Sequence, residues 1–258
     1  MVKGTVINAR GNETGVTVNG KLAMVFGTEF VANHIPLEEG ANTIEVVATD
    51  TEGNTVTTTV VVNGVIANQY INLTANTESG ISPLEVVLTI NSSLDLSNAS
   101  LTYTGPGQAE FLSTRLSEYT VKLTAEGIYY FTVSIISGGM LYQDSMGIEV
   151  LSEAELDSLL RSKWGGMKGA LANQNVDEAL NYFAEESRQL FSEVFAALYT
   201  QLPQIAQEMQ DIQLIYSKNN TSKYRIRKTE SYGGQMLTIT YYIYFIVDRD
   251  GIWRIYRF

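Results

Sequence analysis

The sequence predicts a multidomain protein in which two all-β sandwiches precede an α+β domain. In the first 150 residues, short runs of alternating apolar and polar residues are separated by turn-forming residues, a pattern typical of antiparallel sheets. From Leu151 the apolar residues recur at helical spacing over about sixty positions and then return to a period of two as far as Phe258. The change of period at Leu151 separates the third predicted domain from the first two, and the short link Val65–Asn68 separates these two from each other. The predicted domains, here called the first, second and third modules, are residues 1–64, 65–150 and 151–258.

The composition is that of a folded chain, with 45% hydrophobic and 17% charged residues among 258. The absence of cysteine excludes disulfides, thiolate metal sites and thiol nucleophiles. No run of apolar residues approaches the ~20 that a membrane-spanning helix needs, so no membrane span is predicted. Residues 1–5 contain no apolar export segment. We therefore expect an internal piece of a longer exported chain, extracellular, on the cell surface or periplasmic, with a cytoplasmic protein as the alternative.

The net charge of −11 is distributed unevenly along the chain. Residues 1–150 contain 5 basic and 15 acidic residues, whereas residues 212–258 contain 8 basic and 3 acidic ones. The acidic front modules are expected to repel nucleic acid and anionic membranes, so no nucleic-acid partner is predicted. The basic strands near the end either bind an anion or form an ordinary solvated strand face.

The first module contains two clear turn signals and one distinctive strand. Asn19-Gly20 predicts a two-residue hairpin, because both positions favour a positive φ, and Gly53-Asn54 predicts another turn. In the last run of the module, Val56, Val60 and Val62 share one face of a strand that the alternation predicts to be half-buried.

A family resemblance covers most of the first module. The segments Val16–Gly20 and Pro36–Thr55 read VTVNG and PLEEGANTIEVVATDTEGNT. This pattern resembles the bacterial immunoglobulin-like modules found in glucodextranases and surface proteins. The resemblance implies an immunoglobulin-like sandwich that serves as a spacer or adhesion module.

The second module shows strand runs at the spacing of another β-sandwich. Pro83 is predicted to precede a strand directly, and the alternate residues Tyr129, Phe131 and Val133 are predicted to point into the core from one face. The motifs at Leu73–Thr89 and Gly127–Val133 resemble a divergent polycystic kidney disease-type repeat. That resemblance implies a second immunoglobulin-like sandwich acting as a spacer or as a contact module for proteins and polysaccharides.

Several polar and aromatic residues of the two β modules have alternative interpretations. The loop Asp50–Asn54 alternates oxygen-bearing side chains as a Ca²⁺ loop does, but a polar turn explains the same residues, and we predict no metal. The only histidine, His34, has no acid or nucleophile beside it in sequence and is expected to be a polar residue at a strand end. Tyr103 and Tyr119 either stack on sugar rings or pack across strands, and we favour packing.

The third module begins with a predicted helix over residues 153–173, in which the three glycines between Gly165 and Gly169 imply close packing or a bend. Two more helices follow. Pro203 either kinks the third helix or begins a separate turn of helix. Residues 212–258 then alternate with a period of two, which predicts about four antiparallel strands and an α+β layout.

A third family resemblance covers the third module. The segment Trp164–Phe183, WGGMKGALANQNVDEALNYF, together with Gly251–Ile255, resembles the nuclear transport factor 2-like cone of SnoaL-type proteins. The resemblance implies three N-terminal helices on a curved antiparallel sheet, with an apolar pocket in the cone. The candidate pocket residues are Trp164, Met167, Tyr182, Phe195, Tyr242, Tyr244 and Trp253. The alternative is that these side chains simply fill the core.

No catalytic residue is predicted, because the third module has no histidine and its carboxylates lie at helix starts and in turns, where capping and solvation account for them. We predict a non-catalytic region of a bacterial exported or surface protein, in which two spacer or adhesion modules present the cone. The predicted partner is a small hydrophobic ligand or a protein, with polysaccharide contact and a homodimer through the C-terminal sheet as further roles. No cofactor is predicted. The alternatives are a SnoaL-like enzyme acting on a small hydrophobic substrate and a purely structural stalk.

Overall fold

The chain folds into two compact units. The N-terminal unit contains residues 1–152 and 249–252, and the C-terminal unit contains residues 153–248 and 253–258. The computed structural model describes the whole chain apart from the side chain of Tyr232. Among the residues described, no helix is long and apolar enough to cross a bilayer. The predicted domain limits at residues 64 and 150 stay predictions.

The first module is built from seven strands in two antiparallel sheets. The strands are β1 (Val2–Thr5), β2 (Thr14–Val18), β3 (Lys21–Leu22), β4 (Met24–Phe26), β5 (Glu29–Ala32), β6 (Gly40–Asp50) and β7 (Thr55–Gly64). One sheet has the order β1-β5-β4 and the other has the order β3-β2-β6-β7. A buried core that includes Val18, Phe30 and Ile44 lies between them. The prediction of a β-sandwich is therefore confirmed for this module.

The local predictions for the first module have different outcomes. Asn19 and Gly20 have φ angles of 48° and 74° and form the two-residue loop between β2 and β3, as predicted. Strand β7 is not half-buried, however, since Val56 is 74% and Val60 52% exposed. The reason is that β7 lies at the edge of a four-stranded sheet, and the sheet that faces it has only three strands.

The second module is a sandwich of eight strands. They are β8 (Ile71–Ala75), β9 (Ser79–Ile81), β10 (Leu84–Ser92), β11 (Ser100–Thr104), β12 (Ala109–Thr114), β13 (Glu118–Leu123), β14 (Gly127–Ser137) and β15 (Met140–Leu151). One layer has the order β12-β13-β10-β8, and in the other β11, β14, β15 and β9 lie side by side. The β15–β9 pair is parallel.

The predictions for the second module are confirmed at the level of side chains. Tyr129, Phe131 and Val133 are fully buried in its core, and β10 begins directly after Pro83. Tyr103 packs against the ring of Phe131 at a centroid distance of 5.7 Å. Tyr119 likewise packs against Phe111 at 6.3 Å, so these two tyrosines have the packing role that the sequence favoured.

Within the N-terminal unit, a buried amide joins β5 to β15. The side chain of Asn33, which follows β5, donates a hydrogen bond to the carbonyl oxygen of Gly147 and accepts one from its N–H, each 2.8 Å long. Position 147 needs glycine, because a Cβ there would lie 2.8 Å from Cγ1 of Val31. Met24, Val31 and Ile128 form an apolar cluster beside this pair.

A buried carboxyl group joins the same two modules. Glu149 of β15 is only 5% exposed. Its Oε2 accepts a hydrogen bond of 3.0 Å from the hydroxyl of Ser79, and its carboxylate also accepts one from the backbone N–H of Val25. Burial raises the pKa of Glu149 to about 7, although both hydrogen bonds act in the opposite direction.

The C-terminal unit combines four helices with a four-stranded antiparallel sheet. The helices are α1 (Glu153–Ala172), α2 (Val176–Leu180), α3 (Glu185–Ala197) and α4 (Leu202–Glu208). The strands are β16 (Gln213–Lys218), β17 (Thr221–Tyr232), β18 (Gln235–Val247) and β19 (Trp253–Arg257), and they pair in chain order. The first helix matches its predicted range, and Pro203 lies in the first turn of a separate helix, α4, rather than in a kink.

The glycines and the buried face of the sheet show how this unit packs. A side chain at position 166 would collide with the hydroxyl of Tyr182. Close packing is therefore the reason that glycine is needed at this position. On the sheet, Tyr224 and Ile243 are directly opposite each other and fully buried. Burial, and next the carboxylate of Asp157 in α1, raise the pKa of the Tyr224 phenol. The first helix therefore lies on this face of the sheet.

The predicted fold class is wrong in its last part, because residues 153–258 are not a nuclear transport factor 2-like cone. Strands account for 51% of the chain and helices for only 20%, so the protein is mainly β with a small helical segment towards its C-terminal end. The spacing in Trp164–Phe183 requires only helices with one buried face, and a small helical layer on many kinds of sheet satisfies it. The SnoaL-like enzyme rested on the cone and is not carried forward.

Candidate functional site

The candidate site is the face of the C-terminal sheet that points away from Tyr224. Residues directly opposite each other in an antiparallel pair point to the same side, and neighbours along a strand point to opposite sides. The pairs Lys223–Tyr244 and Arg225–Tyr242 therefore lie on the side opposite to the buried Tyr224. We call this surface the tyrosine–cation face; its residues are Lys223, Arg225, Arg227, Tyr242, Tyr244 and Arg257.

Two cations lie over the tyrosine rings of this face. The Nζ atom of Lys223 lies 4.0 Å from the ring centroid of Tyr242 and 5.4 Å from that of Tyr244. From the neighbouring strand β19, the guanidinium carbon of Arg257 lies 4.5 Å from the centroid of Tyr244. These distances are within the ~6 Å over which a cation is attracted to an aromatic face. Tyr244 is thus held between two positive charges.

The electrostatic environment of the face is positive. A hydrogen bond from Lys223, together with the charges of Lys223 and Arg257, lowers the pKa of the Tyr244 phenol from its ordinary value. Among the residues the structure describes on this side of the two central strands, at positions 221 to 227 and 240 to 246, there is no acidic side chain. The face therefore attracts anions, although the whole chain carries a net charge of −11.

The predicted pocket residues are distributed over different parts of the C-terminal unit. Four of them are buried: Trp164, Met167, Phe195 and Trp253. Tyr182 covers Gly166 within the helical layer. Tyr242 and Tyr244 lie together on the tyrosine–cation face. The pocket and its small hydrophobic ligand stay predictions.

The buried members of that set have specific partners. The indole N–H of Trp164 donates a hydrogen bond of 3.0 Å to the carbonyl oxygen of Gln210. The same indole meets the ring of Phe258 edge to face at 5.3 Å. Phe195 packs against Phe183 with ring centroids 5.7 Å apart. The contact with Phe258, the residue after β19, joins the first helix to the end of the sheet.

The sequence-based candidate set did not include the cations of the face. The signal was present in Lys223–Lys228, KYRIRK, whose alternation places Lys223, Arg225 and Arg227 on one side of a strand. The sequence pattern did not predict that Arg257 belongs to this face. Its position depends on the register between β18 and β19, which places Arg257 opposite Tyr244.

A second concave surface, the edge groove, lies in the first module between residues 5–10 and the strands β6 and β7, and it has a volume of about 420 Å³. Its apolar lining includes Val16, Phe30, Val46, Ala48 and Val56. At its rim Arg10 forms an ion pair with Glu52 and lies 4.0 Å from Asp50. The groove therefore has an apolar floor and a rim on which the charged residues are paired.

In the polar turn beside this groove, the carboxylate oxygens of Asp50 accept hydrogen bonds from other residues of the same turn. Asp50 accepts hydrogen bonds of 2.9 Å from the backbone N–H groups of Glu52 and Asn54, and one of 2.8 Å from the side-chain amide of Asn54. The bond from the Asn54 side chain is the largest of several influences that leave the pKa of Asp50 below its ordinary value. Within the described part of the chain, no group of three or more metal-ligating side chains is arranged to hold an ion.

The single histidine has a structural connection that its local sequence did not reveal. The Nε2 atom of His34 lies 2.9 Å from the carbonyl oxygen of Leu73 and 3.7 Å from the carboxylate of Asp144. The same carboxylate accepts a hydrogen bond from the backbone N–H of Leu73. His34 thus takes part in the contact between the first and second modules.

Comparison with protein families gives a match for the first module. The family described as glucodextranase, domain B, matches residues 1–67. This match supports the immunoglobulin-like interpretation of that module, whereas the resemblance of the second module to a polycystic kidney disease-type repeat stays a prediction. The comparison with curated proteins found no match.

Several solved structures share a limited likeness with the chain. Protocadherin gamma B7 extracellular cadherin domains 1–4 are 10% identical, with 54% of this chain and 40% of that chain covered and a TM-score of 0.25. The fibronectin(III)-like modules of Clostridium thermocellum CbhA are 15% identical, with coverages of 58% and 84% and a TM-score of 0.22. Bacteroides ovatus SGBP-B, in complex with a mixed-linkage heptasaccharide, is 13% identical, with coverages of 52% and 36% and a TM-score of 0.20. The chain spans less than half of the protocadherin fragment.

Proposed function

We propose that the chain is a non-catalytic binding region of a bacterial exported or surface protein, in which the tyrosine–cation face binds an anionic polysaccharide. The observation that carries the proposal is the position of Tyr244 between Lys223 and Arg257, with Tyr242 beside them. In this proposal the two sandwiches of the N-terminal unit serve as spacers. The family match over residues 1–67 supports that role.

The chemistry of the face suits a sugar polymer that carries negative charges. Tyrosine rings offer flat apolar surfaces on which sugar rings stack, with a hydroxyl that remains in water. Lysine and arginine side chains form charge-assisted hydrogen bonds with carboxylates and sulfates. Along β17 the cations Lys223, Arg225 and Arg227 recur at every second residue, roughly 7 Å apart. A row of this kind favours a ligand with repeated charges over a single small anion.

The proposal predicts that the chain binds polygalacturonate and that substitutions on the face weaken this binding. We expect Tyr242→Ala and Lys223→Gln each to raise the Kd about ten-fold, because each removes roughly 1–2 kcal/mol of stacking or ionic contact. Isothermal titration calorimetry at two salt concentrations measures the effect. The affinity of the wild type is expected to fall as salt rises, because the contacts between cations and carboxylates are screened.

Lys228→Gln is the matched control, since it removes the same charge from the same strand on the opposite side of the sheet, where Lys228 forms an ion pair of 2.8 Å with Glu230. This variant is expected to bind polygalacturonate as the wild type does. Neutral dextran is the ligand control and is expected not to bind. Equal binding of dextran, or an equal loss in Lys228→Gln, would contradict the proposal.

We also propose that the region acts outside the cytoplasm. The immunoglobulin-like match of the first module supports this location. Antibody labelling of intact cells that express the protein tests it, because only a surface-exposed chain is labelled without permeabilisation. A homodimer through the C-terminal sheet stays a prediction that the tyrosine–cation face does not require.

A further inference from the structure

The edge strand β7 of the first module is an open pairing surface. It is ten residues long and reads TVTTTVVVNG, without a charged residue or a proline. Every residue from Thr55 to Val61 is exposed. Strand β7 pairs with β6 on one side and ends its sheet on the other. Its outer N–H and C=O groups therefore point to solvent in a row.

Edge strands are normally protected from pairing with other chains by shortness, charge, proline or a bulge. The other edge strands of this module are short, since β1, β3 and β4 have 4, 2 and 3 residues. In the second module, the edge strand β12 contains an irregularity between Phe111 and Ser113. Strand β7 has no such protection, because its register with β6 runs without a shift from Thr49–Thr55 to Gly40–Gly64.

We infer that β7 pairs with β7 of a second copy of this chain. Antiparallel pairing about a two-fold axis perpendicular to the sheet joins the two four-stranded sheets into one. If the axis passes Thr59, Val56 lies opposite Val62 of the partner copy and Thr58 lies opposite Val60 of the partner copy. All of these residues are β-branched and lie on the face of the sheet that points towards the three-stranded sheet. Cross-strand pairs of β-branched residues stabilise a sheet.

The distribution of charge favours a second copy as the occupant. Two chains with a net charge of −11 repel each other over most of their surfaces. Pairing through β7 brings together two strands that carry no charge. The turn that contains Asp50 and Glu52 then lies opposite the segment of the partner copy that follows β7, residues 65–69, which is also uncharged. Along the paired strands themselves, no like charges oppose each other.

The size of the interface indicates a weak, reversible dimer. With the axis at Thr59, residues Thr55 to Asn63 of the two copies form nine residue pairs, which supply about nine hydrogen bonds, close to the number in a specific interface of standard size. The strand is roughly 34 Å long and a sheet is about 10 Å thick. The total buried area is therefore on the order of 700–1,000 Å², below that of stable complexes. We expect a dissociation constant in the micromolar range.

Analytical ultracentrifugation of the whole chain between about 1 and 300 µM tests this inference, with the concentrations chosen to span a micromolar Kd. The wild type is expected to show a reversible monomer–dimer equilibrium. Thr59→Lys is expected to raise the dissociation constant at least ten-fold, because it sets two lysines opposite each other at the axis. Leu116→Lys adds the same charge at an exposed position of the second module and is the matched control. It is expected to leave the equilibrium unchanged.

Because the chain has no cysteine, single cysteines report the geometry of the dimer. Mild oxidation is expected to link two copies through Thr59→Cys, which lies at the axis, and neither through Val60→Cys, whose Cα atoms would be about 8 Å apart, nor through Leu116→Cys. Circular dichroism confirms that each variant is folded. A monomer at every concentration, a dimer whose constant does not change in Thr59→Lys, or open-ended oligomers would each overturn the inference.

Discussion

Replacing Glu149 with glutamine is expected to make the protein more stable than the wild type above neutral pH, by about 3 kcal/mol. The carboxyl group lies in the contact between the first and second modules, where burial raises its pKa from 4.5 to about 7. Ser79 and the backbone of Val25 supply hydrogen bonds that favour the charged form, but they do not compensate for the loss of hydration. At high pH the folded protein therefore holds a buried charge that the unfolded chain holds in water.

The sign follows from the two pKa values. Below pH 4.5 the carboxyl is protonated in both states, so it contributes nothing to the pH dependence. Between pH 4.5 and about 7 the unfolded chain loses its proton first, and the free energy of unfolding falls as pH rises. Above pH 7 the contribution is constant. Because glutamine does not ionise, the difference between Glu149→Gln and the wild type grows across this window.

Urea unfolding at several values of pH measures this difference. Far-UV circular dichroism is the suitable signal, since both tryptophans, Trp164 and Trp253, belong to the C-terminal unit and do not report on Glu149. Glu110→Gln is the control, because Glu110 is an exposed acid on β12. It is expected to follow the wild type at every pH. A constant offset between Glu149→Gln and the wild type from pH 4 to pH 9 would show that Glu149 ionises normally.

Replacing Asn33 with alanine is expected to lower the free energy of unfolding of the N-terminal unit by about 2–4 kcal/mol. The alanine removes the two hydrogen bonds of 2.8 Å that Asn33 exchanges with Gly147. The backbone N–H and C=O of Gly147 then remain buried without these partners, and leaving such groups unpaired costs about 1–3 kcal/mol each. Water does not easily replace the amide, because Val31 packs directly against Gly147.

The same substitution tests whether the two modules unfold together. If Asn33 couples them, the cooperative transition of the N-terminal unit should separate into two transitions in Asn33→Ala, as seen by calorimetry and circular dichroism. Asn63→Ala is the matched control, since Asn63 is an exposed asparagine near the end of β7. It should change the free energy of unfolding by less than ~0.5 kcal/mol. A loss below ~1 kcal/mol in Asn33→Ala would mean that the amide pair does not stabilise the contact.

These two substitutions bear on the proposed role of the N-terminal unit as a spacer. A spacer holds a binding surface away from its anchor, and it does so better when its modules do not bend against each other. The buried Asn33–Gly147 pair and the cluster of Met24, Val31 and Ile128 provide contacts of that kind. Substitutions that loosen them leave the tyrosine–cation face unchanged, so stability and polysaccharide binding are separable measurements.

Much of the local structure could be predicted from residue order. Asn19-Gly20 predicted a tight hairpin because both residues tolerate a positive φ, and the hairpin forms at that position. Alternation specified that Tyr129 and Phe131 point into a core, and both are fully buried. The first helix was located by apolar spacing, and it runs from Glu153 to Ala172. Each of these properties depends on neighbours within a few residues.

The prediction of a cone for residues 153–258 was wrong, because the order of neighbouring residues does not determine how helices and sheets pack into layers. Helical spacing in Trp164–Phe183 correctly indicated buried helix faces, but it did not indicate how much sheet those helices cover. Strand β7 illustrates the same limit, since its alternation was predicted correctly and its burial was not. The burial depends on the number of strands in the opposite sheet, which the residues of β7 do not encode.

The sequence by itself determined the periods, the turns and the side of each strand on which a residue lies, because these follow from the conformational preferences of short segments. Only the tertiary structure decided which distant residues meet. It placed Arg257 and Lys223 on opposite sides of Tyr244, Asn33 against Gly147, and Glu149 in a site poor in water. The physical reason is that the packing of the whole core sets the register of the strands and the contact between layers. The register decides which side chains share an exposed face. The contact between layers decides which acids are buried, and burial shifts their pKa.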